Sequence, residues 1–161
     1  MTPDFLPQSG KLVTLRQFRP EDLKSFQAYR HDLKLGLYQG WSPQTDEVAA
    51  HFLEEMSRAQ LFVPGQWCQI GIADRATDNL IGDIGVCIQE ARTEAEIGFT
   101  LCSASQGLGM GSESVSLCIR IIFEQTPVDR VFAITDSRNE PAIRMLERLS
   151  MQRIQAKGAV F

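Results

Sequence analysis

Histidine is scarce in this sequence: His31 and His51 are the only two among 161 residues. Both fall on predicted helices with no acidic or thiol partner beside them, which leaves a histidine metal centre little to build on. Cysteine is thin as well. Cys68, Cys87, Cys102 and Cys118 form no CxxC pair and fit no zinc spacing. Each lies in an apolar or strand-like run and reads as a small buried hydrophobe, Cys102 being the exception set apart. Positive charge is also short: 16 Lys and Arg against 20 Asp and Glu leave a net charge of -4. That balance argues against a general nucleic-acid binder, which would carry a basic face. No apolar run approaches the ~20 residues that span a bilayer. The first ten residues hold Asp4 and two prolines and no apolar stretch of the signal-peptide kind. Together these absences point to a cytoplasmic protein with no metal, no nucleic-acid partner and no membrane partner.

What is present is an ordinary globular composition, 43% hydrophobic and 22% charged. The length suits one domain over residues 1–161, with enough chain to bury a core unaided. Leu12 to Phe18 alternates like a half-buried strand. Pro20, with Glu21 and Asp22 behind it, opens a helix whose face carries Leu23, Phe26, Arg30 and Leu33. Ser42-Pro43 is an N-cap and first-turn pair for a second helix striped by Val48, Phe52, Met56 and Ala59. Three strands follow, Trp67–Asp74, Leu80–Ile88 and Glu94–Leu101, and their short links imply an antiparallel meander. A helix then runs to about Gln125, Val131–Thr135 reads as a buried strand, and Asn139 caps a last helix bearing Ile143, Leu146 and Leu149. Met151–Ile154 reads as the start of another strand. The expected class is α/β (α+β): a mixed, mostly antiparallel twisted sheet with helices on both faces.

The most informative stretch is Gln106-Gly107-Leu108-Gly109-Met110-Gly111-Ser112. A glycine-rich turn at a helix start gathers backbone N–H groups that no side chain obstructs, and the helix dipole adds positive potential. Such a turn is a phosphate cradle or a plain glycine loop. A Walker loop fails here because Ser112 and Glu113 follow the last glycine. A dinucleotide fingerprint lacks its third glycine, and the turn follows a meander rather than opening a parallel βαβ unit. The pattern Q/R-x-x-G-x-G/A is met in full by Gln106, Gly109 and Gly111.

With Ala95–Leu101 before that turn, Asp136–Ala142 and Leu146–Met151 after it, the chain resembles the GNAT superfamily of acyl-CoA N-acyltransferases. The Leu15-Arg16, Pro20–Asp22 and Gly40-Trp41 segments resemble its ribosomal-protein N-terminal acetyltransferase branch. The resemblance implies acetyl-CoA as co-substrate, with its diphosphate on the backbone of Gln106, Gly107, Leu108, Gly109, Met110, Gly111 and Ser112. It implies a splayed parallel pair, Glu94–Leu101 and Arg130–Thr135, holding the pantetheine arm near Leu101 and Cys102. Asn139 would fix the arm near the thioester, and Arg144 would reach toward the nucleotide. A backbone N–H near Leu101 would stabilise the developing oxyanion. Glu96 is the expected base, with Asp83 a second candidate carboxylate near the acceptor. Tyr38 and Trp41 would line the acceptor pocket. The acceptor is a small-molecule or peptide amine, and the protein a monomer or homodimer.

Departures from the family pattern matter too. Leu146 stands where many members carry a tyrosine acid, Ala142 where the ribosomal branch often has serine, and Ser150 where the last helix usually ends in glycine. With no general acid in view, an α-amine acceptor is favoured over lysine. A noncatalytic coenzyme A-binding module is the alternative reading. Lys157–Phe161 looks too short for the family's returning strand, so the expectation is a truncated chain or pairing from a neighbouring chain.

Overall fold

A computed structural model describes residues 5–154 and 159–161. Seven strands form one sheet in sequence order: β1 (Gln8–Ser9), β2 (Val13–Arg16), β3 (Trp67–Asp74), β4 (Leu80–Ile88), β5 (Glu94–Leu101), β6 (Arg130–Thr135) and β7 (Ala159–Val160). Neighbours are antiparallel throughout except β5 and β6, which run parallel. The helices are α1 (Leu23–Arg30), α2 (Leu33–Gly36), α3 (Asp46–Arg58), α4 (Met110–Gln125) and α5 (Glu140–Arg148).

The period-2 pattern decides which side of the sheet each helix covers. Ile84, Val86 and Ile88 of β4 and Ile97 of β5 pack with Val115, Cys118, Ile121 and Ile122 of α4 and with Leu146 of α5. Each aliphatic side chain buried there contributes about 1.5–3 kcal/mol. The other face meets α1 and α3 through a second cluster of Phe18, Phe26, Tyr29, Ala49, Leu53 and Leu80. Between them the sheet carries helices on both faces.

Several local expectations need correction. The first predicted helix is broken into a 3-10 turn at Pro20–Asp22, then α1, then α2, and Leu33 is 80% exposed rather than on the inner face. The second begins at Asp46, because the Thr45 side chain accepts from the Val48 N–H and caps it. Its fully buried residues are Ala49 and Leu53, with Phe52 and Met56 of the expected stripe packed beside them, while Val48 is exposed. His51 has an acidic neighbour after all, Glu55 at 3.0 Å one turn on. Met151–Ile154 is irregular, not a strand. The outer edge of β6 is paired instead by the same chain: Ile134 opposes Val160, Thr135 opposes Ala159, and Ala133 and Phe161 exchange both backbone hydrogen bonds at 2.6 and 2.8 Å. Lys157 and Gly158, read with that segment, lie outside the described residues, as do residues 1–4 of the leader reading.

Candidate active site

The site begins where a ladder stops. The β5–β6 pairing runs from Glu94 opposite Arg130 to Ile97 opposite Ala133 and ends there. β5 continues for four more residues to Leu101, so a wedge opens between the two strands at their C-terminal ends. Cys102 donates its N–H to Ile81 of β4 at 2.7 Å. Alternation along β5 therefore turns the backbone groups of Phe99 and Leu101 toward the wedge. The Leu101 carbonyl accepts from Gln106 Nε2 at 2.9 Å, and the Phe99 carbonyl accepts from Gln39 Nε2 at 3.2 Å.

Below the wedge lies the glycine turn. Gly107 and Gly109 adopt left-handed φ of 76° and 83°, a region that costs L-residues about 1–2 kcal/mol. Gly109 is the N-cap of α4, and no side chain caps that helix. The first-turn N–H groups of a sixteen-residue helix thus point out of its end without a side-chain acceptor. A Cβ at Gly107 would meet nothing within 4 Å, while one at Gly111 would press on Met145 Sδ at 3.1 Å. The turn is open above and tight against α5 below. An uncapped helix end with an unobstructed loop suits a diphosphate, so the residues present fit the co-substrate that the resemblance implied. Glu113 does not spoil this potential. Its carboxylate is turned back to accept the N–H groups of Lys11, Leu12 and Val13 at 2.6, 2.7 and 2.9 Å.

Of the other sequence-predicted residues, the structure brings some to the wedge and gives others a different task. Cys102 has both backbone groups engaged, with Ile81 and Ser105, and its Sγ lies 3.2 Å from Ser105 Oγ. Leu108 is 61% exposed on the rim of the turn. Asn139 caps α5, its side chain accepting from the Ala142 N–H. Arg144 is exposed and faces Glu140 one turn back at 3.5 Å. Leu146, in the family's tyrosine position, is wholly buried, so no acid replaces that tyrosine there.

On the opposite side of the sheet Glu96, Gly98 and Thr100 share a face with Cys87, Gly85 and Asp83 of β4. Glu96 is half-buried, and burial raises its carboxyl above the usual range. A Cβ at Gly98 would find open space. Asp83 is a correction: it is buried beneath α1, where Arg30 Nη2 reaches its oxygens at 2.8 and 3.0 Å and the Tyr29 hydroxyl donates a third hydrogen bond. Burial and the Asp83 charge push the Tyr29 phenol well up, so it stays a donor. Asp83 is thus a structural anchor with no free face toward an acceptor. It acts at a distance, because the Arg30 guanidinium it holds lies over the Trp41 ring at 4.7 Å. Trp41 Nε1 in turn donates to Thr100 Oγ1 at 3.2 Å.

Tyr38 sits under the Arg138 guanidinium, 5.4 Å from ring centroid to Cζ. Arg138 grips Asp136 through Nε and Nη2 at 2.9 and 2.8 Å. Those bonds hold the Asp136 carboxyl down to about 2. Residues 38–41 are therefore tied both to β5 and to the turn after β6. Gln39, Thr100, Arg30 and Arg138 were missed in the sequence. Only Arg30 gave a signal, as a lone cation on an otherwise apolar helix face.

The fold is shared with known proteins. A family profile described as the acetyltransferase (GNAT) domain matches residues 13–152. The chain belongs to the GNAT family and is an N-acetyltransferase. It is 31% identical over 142 residues to N-acetyltransferase p20 of Bacillus licheniformis, an uncharacterised protein, covering 88% of this chain and 79% of that one. Among solved structures, a proposed ribosomal-protein-serine acetyltransferase from Vibrio cholerae superposes with a TM-score of 0.80 at 20% identity, covering 100% of this chain and 98% of that one. Spermidine N-acetyltransferase from Vibrio cholerae, in complex with CoA and spermine, superposes with a TM-score of 0.73 at 16% identity, covering 94% and 93%. GNAT acetyltransferases take their acetyl group from acetyl-CoA. No described helix is long and apolar enough to cross a membrane.

Proposed function

We propose that this chain acetylates a primary α-amine, on a protein N-terminus or a small amino compound, using acetyl-CoA. The observation that carries the reading is the wedge between β5 and β6 lying above the uncapped start of α4. The backbone N–H groups of Gln106 to Ser112 are the diphosphate site, and the β5 edge at Leu101 receives the pantetheine arm as an added strand would. Asn139 and Arg144 border the arm and the nucleotide. The Leu101 N–H polarises the thioester carbonyl.

The amine comes from the face that carries Glu96, beneath Tyr38 and Trp41. Its lone pair attacks the thioester carbon. The N–C bond forms, the C–S bond breaks, and the sulfur leaves with that electron pair as thiolate. Glu96 takes the proton the amine sheds, directly or through water, and solvent protonates the thiolate. A thiol that titrates near ~8.5 departs without a dedicated acid, which is consistent with Leu146 and Ala142 offering none.

The acceptor preference follows from proton affinities. At neutral pH, freeing a lysine amine of its proton costs about 4–5 kcal/mol, and an α-amine only about 1. A single half-buried carboxylate suits the smaller task. Four free thiols among the described residues support a cytoplasmic setting.

Thiol release from acetyl-CoA, followed at neutral pH, tests this. A peptide with a free α-amine is expected to outpace an N-blocked lysine peptide. A strong lysine preference would overturn the acceptor assignment, and no release with any amine would overturn the reading itself.

A further inference from the structure

Two neighbouring side chains close the acceptor side of the wedge by holding its opposite walls. Gln39 holds the Phe99 carbonyl of β5, and Tyr38 lies against Arg138 on the turn that leaves β6. The first contact is the informative one. A strand carbonyl beyond the last β5–β6 bridge has lost its ladder partner, and buried backbone acceptors need a donor. Here the donor is a side-chain –NH2 supplied by a separate loop. A primary amine presents the same donor group.

We propose, building on the acceptor reading above, that the Phe99 carbonyl is the docking atom for the acceptor's amine and that Gln39 controls access to it. Gln39 keeps the carbonyl paired until an incoming amine takes its place. The approach is clear, since Gly98 offers no side chain on the sheet face and open space lies above it. Glu96 stands two residues back along that same face. An amine that gives one N–H to Phe99 keeps its lone pair free to point at the thioester. The subsite therefore takes an unhindered primary amine and leaves out a tertiary one, which has no hydrogen to give. Trp41 on Thr100 and Tyr38 on Arg138 anchor the loop on either side of Gln39. Gln39 can then swing away while the loop stays docked.

Exchange of one neutral hydrogen bond for another sets affinity rather than chemistry. The test compares wild type with Q39A and Q39L, using a tetra-alanine peptide with a free α-amine. With the competitor removed, the peptide KM is expected to fall about fivefold, or about 1 kcal/mol, while the KM for acetyl-CoA stays put. In 15N-labelled wild type, the Gln39 side-chain amide resonance is expected to shift with this peptide and not with its N-acetylated form. An unchanged or raised peptide KM in cooperatively melting variants overturns the proposal, as does a Gln39 resonance indifferent to the free peptide. A shifted resonance without any acetyl transfer would uphold the docking and sink the acceptor reading. Transfer with a fixed resonance would sink the docking alone.

Discussion

Glu96, the proposed base, shows how burial raises the proton affinity of a carboxylate. Burial raises its pKa above the ordinary range, so it holds a proton more firmly than a surface acid and is a better base. The base form is lost as pH falls through that raised value. Activity should therefore decline at a higher pH than a solvated carboxylate would dictate. Glu96→Gln is expected to lower kcat by about a hundredfold and to abolish that acidic limb in a pH–rate profile. Retention of full activity would leave Glu96 a structural residue. The stability sign is opposite. A carboxyl with a raised native pKa binds more protons folded than unfolded, so its effect becomes destabilising as pH rises toward neutral. E96Q should melt no lower than wild type at pH 7, with the difference shrinking in acid. Glu96 was legible because alternation alone places it away from Ile97. The same alternation put Asp83 on that face but could not say that α1 covers it there, bringing Arg30 and Tyr29 onto its oxygens.

At the scale of elements, the three meander strands and the start of α5 were legible to the residue, because strong period-2 runs and an asparagine cap dominate locally. The first helices were not. Nothing in the sequence separates a Ser-Pro start at Ser42 from the real cap at Thr45, and docking adds Ala49 and Leu53 to the inner face beside Phe52 and Met56 while Val48 is left exposed. The end of α5 departs from the expectation that serine in place of glycine distorts the turn. Ser150 occupies the left-handed position the family gives to glycine, at φ 64°. The turn keeps its form nonetheless: Ser150 donates to the Glu147 carbonyl at 2.9 Å and Met151 to the Leu146 carbonyl at 3.1 Å. The cost appears as strain rather than distortion. Ser150→Gly is expected to raise stability by about 1 kcal/mol, or Tm by about 2–4 °C, measured by calorimetry. A lower Tm would mean that the serine side chain contributes more than its backbone costs.

The whole molecule was legible where spacing carries chemistry and obscure where tertiary contacts do. The glycine turn of Gln106, Gly109 and Gly111 at the start of a helix could be read from sequence alone, whereas Gln39, Tyr38 and Arg138 meet only because two distant turns converge on one wedge. The wedge combines a ladder that ends at Ile97 and Ala133, backbone groups facing the opening, and a helix start with no side-chain cap. A crystal structure with bound coenzyme A tests it most directly. Diphosphate oxygens are expected within hydrogen-bonding distance of the 107–112 backbone N–H groups, with the pantetheine arm lying between β5 and β6. A β5–β6 ladder zipped through to Leu101, with the nucleotide bound elsewhere, would contradict it.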